Sequence, residues 1–202
     1  MNEGCTVILA NGSFPANGTI ARKILDSAQR IVACDGAADA MLAISSRTPD
    51  VIVGDFDSLS DKARECGAEL VHVEEQETND LAKAVRLCRA RGWREPVILG
   101  ATGKREDHAL ANLFLALDAR LELVTDTSRF IPLLGERDFE VKPGSAVSIF
   151  APDPATHMTS SGLEWPLDGV EFKNLYCAAL NRATAGHVTV SASHPVLVCL
   201  QV

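Results

Sequence analysis

The feature that most constrains this chain is the form of its apolar runs. Over the first 124 of 202 residues, short runs that are apolar nearly throughout alternate with stretches whose apolar residues recur at helical spacing. Val7-Ile8-Leu9-Ala10, Ile31-Val32-Ala33-Cys34, Val51-Ile52-Val53, Leu70-Val71-His72-Val73, Pro96-Val97-Ile98-Leu99 and Leu121-Glu122-Leu123-Val124 read as strands. Between them, Ile20, Ile24, Leu25 and Ala28 share a helical face, and a second helix is expected over 37–44. Two more are expected over about 79–91, with Leu81, Ala84, Val85 and Cys88 inward, and over 108–119, with Leu110, Leu113, Phe114 and Leu117 inward. A half-wet antiparallel sheet would alternate apolar and polar residues. Continuous runs, each followed by a helix, predict a parallel sheet covered on both faces. Beyond about Thr125 the helices stop. Candidate strands at 130–131, 139–141, 147–150, 187–190 and 196–200, separated by Pro, Gly and Asp turns, predict a small antiparallel β domain. Two domains are therefore expected, over 1–124 and 125–202.

Charge is distributed unevenly. The net charge is −8, yet residues 35–80 hold twelve acids and three bases, and residues 81–107 hold seven bases and three acids. No basic stripe dominates, which argues against a nucleic-acid partner. With 47% hydrophobic and 23% charged residues the composition is that of a globular protein. The six cysteines lack C-x-x-C or zinc spacing, and are expected as buried free thiols in a reducing compartment. Residues 1–4 carry no basic segment, and the apolar run at 7–10 is too short for a signal peptide or membrane span. A cytoplasmic protein without membrane association is expected.

In an open parallel sheet, ligands bind beyond the carboxyl ends of the strands. The second strand runs into Asp35-Gly36, the third into Gly54-Asp55-Phe56-Asp57-Ser58, the fourth into Gln76-Glu77-Thr78-Asn79-Asp80, and the fifth into a loop running from Gly100 to His108. Asp35, Asp55, Asp57 and Asp80 thus fall on one rim, where mutual repulsion calls for a cation. Hard oxygen donors of this kind suit Mg²⁺ bridging to phosphates. Lys104 and Arg105 on the neighbouring loop would neutralise phosphate charge. Singly, each aspartate also fits a helix cap or a turn. Jointly, four such loops on one rim favour a site.

Neither G-x-x-x-x-G-K-[ST] nor G-x-G-x-x-G occurs in its structural context. The strand-plus-Asp-x-Asp element at 51–57 is similar to that of phosphatases forming an aspartyl-phosphate, with Asp55 as nucleophile and Asp57 as acid. It lies on the third strand instead of the first. A Mg²⁺-dependent phosphohydrolase and a non-catalytic nucleotide-binding module are the alternatives to be weighed.

Longer motifs point elsewhere. Ala33-Cys34-Asp35-Gly36-Ala37-Ala38-Asp39, Pro49-Asp50-Val51-Ile52-Val53-Gly54-Asp55-Phe56-Asp57-Ser58, Gln76-Glu77-Thr78-Asn79-Asp80 and Gly103-Lys104-Arg105-Glu106-Asp107-His108 resemble the thiamine pyrophosphokinase family. Looser matches follow at Gly162-Leu163-Glu164-Trp165-Pro166-Leu167, Asn181 and His194-Pro195-Val196-Leu197. The resemblance implies a Rossmann-like, mostly parallel α/β nucleotide-binding domain, a C-terminal antiparallel β-sandwich that binds thiamine, and a homodimer with thiamine near the subunit interface. It implies transfer of the pyrophosphoryl group of ATP to thiamine, giving thiamine diphosphate and AMP. By motif, Asp55, Asp57 and Asp80 would hold Mg²⁺. Asp35, Arg105 and Asp107 would join them in catalysis, and Asn11, Gly36, Gln76, Lys104 and His108 would meet ATP. Trp165 and Asn181 would contact thiamine, although Trp165 also fits the core of a β-sandwich. Departures are Ala37 for a glycine, Lys104 in a Gly-Gly-Arg pattern, Asn79 for a threonine, and Ala178-Ala179-Leu180 where small hydroxyl residues often precede the asparagine.

Overall fold

The computed structural model describes residues 5–202, so the expectation about residues 1–4 lies outside the described residues. The chain divides into two compact units, Met1–Asp126 and Thr127–Val202.

The first unit follows the strand–helix alternation: β1 (Thr6–Leu9), α1 (Ile20–Ser27), β2 (Arg30–Cys34), α2 (Ala37–Ile44), β3 (Val51–Gly54), α3 (Asp61–Arg64), β4 (Glu69–His72), α4 (Asp80–Ala90), β5 (Val97–Leu99), α5 (Glu106–Ala119) and β6 (Leu123–Val124). Its strands are parallel, in the order β4-β3-β2-β1-β5-β6. Val7, Ile8 and Leu9 of β1, Ile31 to Ala33 of β2 and Ile52 of β3 are wholly buried, which is why their runs do not alternate. The chain winds outward from β1 to β4, then returns to lay β5 on the other side of β1. Strand order therefore reverses between β1 and β5.

Two expectations of burial fail. β4 is the sheet edge and is largely exposed, so its apolar run is not covered on both faces. On α5, Leu117 is buried as expected, but Leu110 and Phe114 face solvent, and Ala116 is buried in their stead. Helix α5 begins two residues before the expected start, with Asp107 Oδ1 accepting the His108 N–H at 2.9 Å in its first turn. Asn79 caps α4, its Oδ1 accepting the Ala82 N–H at 3.0 Å.

The second unit holds β7 (Ser128–Glu140), β8 (Ala146–Phe150), β9 (Met158–Ser161), β10 (Ala178–Arg182) and β11 (His187–Gln201), all antiparallel. The candidate strands at 130–131 and 139–141 are two ends of β7, and those at 187–190 and 196–200 are two ends of β11. β7 and β11 pair along their length, with a register shift between Ala192 and Val196. Pro195 lies in that shift, where a missing N–H is tolerated. The first arm of β11 pairs with β9 and the second with β8, which pairs with β10. Phe139, Ile149, Val188 and Val198, from both arms, share one core.

The six cysteines are free, but Cys5 and Cys177 are exposed, against the expectation of burial; Cys34 and Cys88 are buried. Among the described residues, no helix is long and apolar enough to cross a membrane.

Candidate active site

The reversal of strand order brings the loops after β1 and β5 together at the carboxyl edge of the sheet. The Gly12 N–H donates to Gly100 O at 2.6 Å and the Ser13 N–H to Thr102 O at 2.7 Å. A cavity of about 430 Å³ opens beside this seam. Crevices of this kind form where neighbouring strands send their loops to opposite sides.

Carboxylates form one wall. Asp35 follows β2 in the left-handed region, at φ 38°, and is only 5% exposed. Its Oδ2 accepts from the Ser58 hydroxyl, and its Oδ1 is buried with no hydrogen-bond partner. A strained, half-satisfied buried carboxylate persists only where its surroundings hold it. Gly54 explains how Asp80 comes so near. A Cβ on Gly54 would stand 2.9 Å from Asp35 Cβ and 3.5 Å from Asp80 Oδ1, so only glycine lets the two pass. Burial pushes the Asp80 carboxyl upward; Lys83 opposes that shift, and the negative charges of Asp55 and Asp35 add to it.

Asp55 behaves oppositely. Its Oδ2 accepts from Gln76 Nε2 at 3.0 Å and its Oδ1 from the Asp57 N–H at 3.3 Å; these bonds, Gln76 first, lower its carboxyl. Between the two aspartates, Phe56 adopts φ 65° and turns inward. Its ring stacks on His72 at 5.2 Å, and its carbonyl accepts from Arg64 at 2.7 Å. The bulky residue thus pays for its strained backbone by burial, and the turn turns its flanking carboxylates away from the core.

Cations come from the β5–α5 loop and from α4. Lys104 Nζ donates to Asn11 Oδ1 at 2.9 Å. Arg105 forms an exposed fork with Asp107 at 2.6 and 3.1 Å, and the guanidinium holds the Asp107 carboxyl down to about 2. Lys83, one turn into α4, donates to Asp80 Oδ1 at 3.1 Å. Asn79 Nδ2 donates to Asn112 Oδ1 at 3.0 Å, and Asn112 Nδ2 donates to Ala101 O at 2.9 Å. This buried strut ties the start of α4 to the loop after β5.

Of the residues expected in the site, Asn11, Asp55, Gln76, Asp80, Lys104, Arg105 and His108 line the cavity. Asp35 lies behind Gly54, and Gly36 abuts the Asn11 amide. Asp57 and Asp107 are exposed and outside the lining. In the second unit, Trp165 is 55% exposed, which removes the reading of it as a core tryptophan. Asn181 is buried and clamps the backbone of that residue: its Oδ1 accepts the Trp165 N–H at 3.2 Å and its Nδ2 donates to Trp165 O at 2.6 Å. Sequence reasoning missed Lys83 and Asn112. Lys83 lies three residues after Asp80, a spacing that puts both on one helix face, and Asn112 interrupts an apolar helix.

Fold and site together define an α/β protein with a polar ligand crevice at the switch point of a parallel sheet, followed by an antiparallel β unit. The comparisons narrow that class. Residues 21–125 match the model of the thiamin pyrophosphokinase catalytic domain, and residues 128–199 match that of the thiamin pyrophosphokinase substrate-binding domain. The chain belongs to the thiamin pyrophosphokinase family. It is 26% identical over 214 residues to thiamin pyrophosphokinase 1 of Caenorhabditis elegans, an alignment covering 96% of this chain and 88% of that protein. The fold is shared with the crystal structure of yeast thiamin pyrophosphokinase (TM-score 0.81, 16% identity, 100% of this chain and 87% of that one). It is shared also with a thiamin pyrophosphokinase family protein from Enterococcus faecalis (TM-score 0.80, 20% identity, 98% of each chain).

Proposed function

We propose that the chain is an ATP- and Mg²⁺-dependent thiamine pyrophosphokinase, moving the pyrophosphoryl group of ATP to the hydroxyethyl oxygen of thiamine and releasing AMP. The observation that carries this reading is one cavity lined by Asp55 and Asp80 together with Lys104 and Arg105. Displacement at phosphorus needs in-line positioning and charge neutralisation more than covalent help. In the reaction, the thiamine oxygen bonds to the β-phosphorus as the bond from that phosphorus to the bridging oxygen breaks. The electron pair leaves with AMP, and the alcohol proton passes to a base.

The donor set fits Mg²⁺: hard carboxylate oxygens crowd together, and a buried oxygen of Asp35 lacks a partner. Among the described residues no three His, Cys, Asp or Glu side chains form a ready cation cage. Mg²⁺ keeps waters and substrate phosphate oxygens in its shell, so the carboxylates need not enclose it by themselves. Held by Asp55, Asp57 and Asp80, the ion would supply charge neutralisation of the polyphosphate. Asp35, buried behind Gly54, adds its negative charge to the carboxylates the ion would neutralise. Of Asp35 and Asp107, the two carboxylates not assigned to the metal, Asp107 is the exposed one and would orient the alcohol. Arg105 and Lys104 neutralise charge on the transferred group, while Asn11, Gly36, Gln76 and His108 hold the nucleotide.

Trp165 offers an exposed π-face to a cationic heteroaromatic ring, with Asn181 fixing its backbone. Exposed Tyr176 and Leu180 in the same unit support a homodimer with thiamine near the interface. Free thiols fit a cytoplasmic location. The test is formation of AMP with thiamine diphosphate from ATP and thiamine. Release of ADP, or of phosphate without an acceptor and with a trappable phosphoenzyme at Asp55, overturns the proposal. Turnover of Asp55→Asn and Asp80→Asn within a few-fold of the parent overturns the metal assignment.

A further inference from the structure

Lysine is almost never fully buried unless paired. The Lys83 side chain is 2% exposed, yet its ammonium makes one side-chain hydrogen bond, to Asp80 Oδ1. An ammonium carries three donors. Burying it costs several kcal/mol, and a neutralising partner for Asp80 at the surface would avoid that cost. Burial is therefore a choice of place. Lys83 lines the same cavity as Lys104 and Arg105, but from the carboxylate side, and it sits in the first turn of a helix capped by Asn79. The ammonium bonds Asp80, and its charge also lowers the Asp55 carboxyl. Lys104 and Arg105, by contrast, are exposed, and their hydrogen bonds go to Asn11 and Asp107.

We propose that Lys83 is a polyphosphate ligand: from the cavity floor it donates to a phosphate oxygen through the N–H groups that Asp80 leaves free. This rests on the reading of the cavity as an ATP site. A donor already locked by packing loses no side-chain entropy when the anion arrives, so its bond contributes more of its strength than that of a surface lysine. Because Lys83 also holds Asp80, its loss alone would confuse the two roles. A background lacking the carboxylate separates them.

The experiment is calorimetric titration of the full chain with ATP in excess Mg²⁺, for the parent, Asp80→Asn, and Asp80→Asn with Lys83→Met. In the Asp80→Asn background, Lys83→Met should weaken ATP binding about tenfold or more, or ~1.4 kcal/mol. Binding of AMP, which lacks the transferred phosphates, should change by less than about threefold. An ATP affinity within about twofold of Asp80→Asn alone overturns the proposal. Lys83→Gln, read by the same criteria, replaces Lys83→Met if circular dichroism shows the latter unfolded. A parent that binds no ATP strikes the functional reading, and the two failures are thereby distinct.

Discussion

Asn112→Ala tests the strut beneath the cavity. The side chain is buried and makes two hydrogen bonds, at 3.0 Å from Asn79 Nδ2 and at 2.9 Å to Ala101 O. Alanine leaves the half-buried Asn79 amide and the buried Ala101 carbonyl without their partner. At about 1–2 kcal/mol for each orphaned group, the lower part of the usual range because the Asn79 amide is half-buried, the first unit should lose about 2–4 kcal/mol. The cap of α4 survives, because Asn79 Oδ1 still accepts the Ala82 N–H. Asn79→Ala should instead lose the cap, worth ~1 kcal/mol, and the shared bond as well. The double variant should then cost less than the sum by about 1 kcal/mol, since that bond can be broken only once. The chain has two tryptophans, so urea unfolding in a Trp165→Phe background follows Trp93 and reports on the first unit. Its midpoint should fall by ~1–2 M. Catalytic efficiency should fall about tenfold or more as the Asp80 and Lys104 loops lose their tie. A cost below ~0.5 kcal/mol, or strictly additive variants, refutes the strut.

Gly54→Ala should abolish most turnover while costing little more than ~1–3 kcal/mol of stability, because its Cβ meets Asp35 2.9 Å away; unchanged turnover refutes the close-approach argument. Asp107 should titrate near 2 by NMR and return towards its ordinary 3.8 in Arg105→Ala; a midpoint unmoved by the substitution refutes the pairing. The sign follows from a depressed carboxyl: whatever stability the pair gives is present above about pH 4 and lost as pH falls through about 2. Full exposure keeps that contribution small. In a thiol-labelling time course, Cys177 should react early, and Cys34 and Cys88 only on unfolding, since both are buried and burial pushes the Cys88 thiol up to about 11. Early labelling of Cys34 refutes the packing of β2.

What the sequence made legible is what one-dimensional pattern encodes. Central strands of a parallel sheet are apolar at every position, so β1, β2, β3 and β5 declared themselves. The same pattern could not say that β4 lies at an edge, because edge position depends on strand order. The apolar residues of α5 gave a helix but not its buried face: Leu110 and Phe114 fit an inward stripe by spacing and still face solvent. In the β unit, the bend at Pro195 broke one long strand into two short readings, and mostly polar β9 gave no signal. At the site, residues following strands were found because topology alone carries them to one rim. Lys83 and Asn112 lie inside helices, and their part in the cavity exists only after α4 and α5 have packed.

The two walls of the cavity are built to different standards, and that difference bears on how the site must act. Asp35, Asp80 and Lys83 sit at a strand end and in a capped helix, largely or partly buried, with few alternatives open to them. Arg105 and Asp107 are exposed and bonded chiefly to each other. Solvent screens an exposed pair, so exchanging Asp107 for an incoming phosphate would cost Arg105 little. Breaking the Lys83–Asp80 pair would strand a charge in the interior at a cost of ~3–5 kcal/mol. In the proposed site a polyphosphate would meet a buried Lys83–Asp80 pair that stays in place and an exposed Arg105 that can change partners. A bound cation would relieve the repulsion that remains among Asp35, Asp55 and Asp80, and a bound anion would give the basic loop a partner to leave Asp107 for. Each half of the ligand thus completes the wall opposite in charge to itself, which is why metal and nucleotide should bind this site cooperatively.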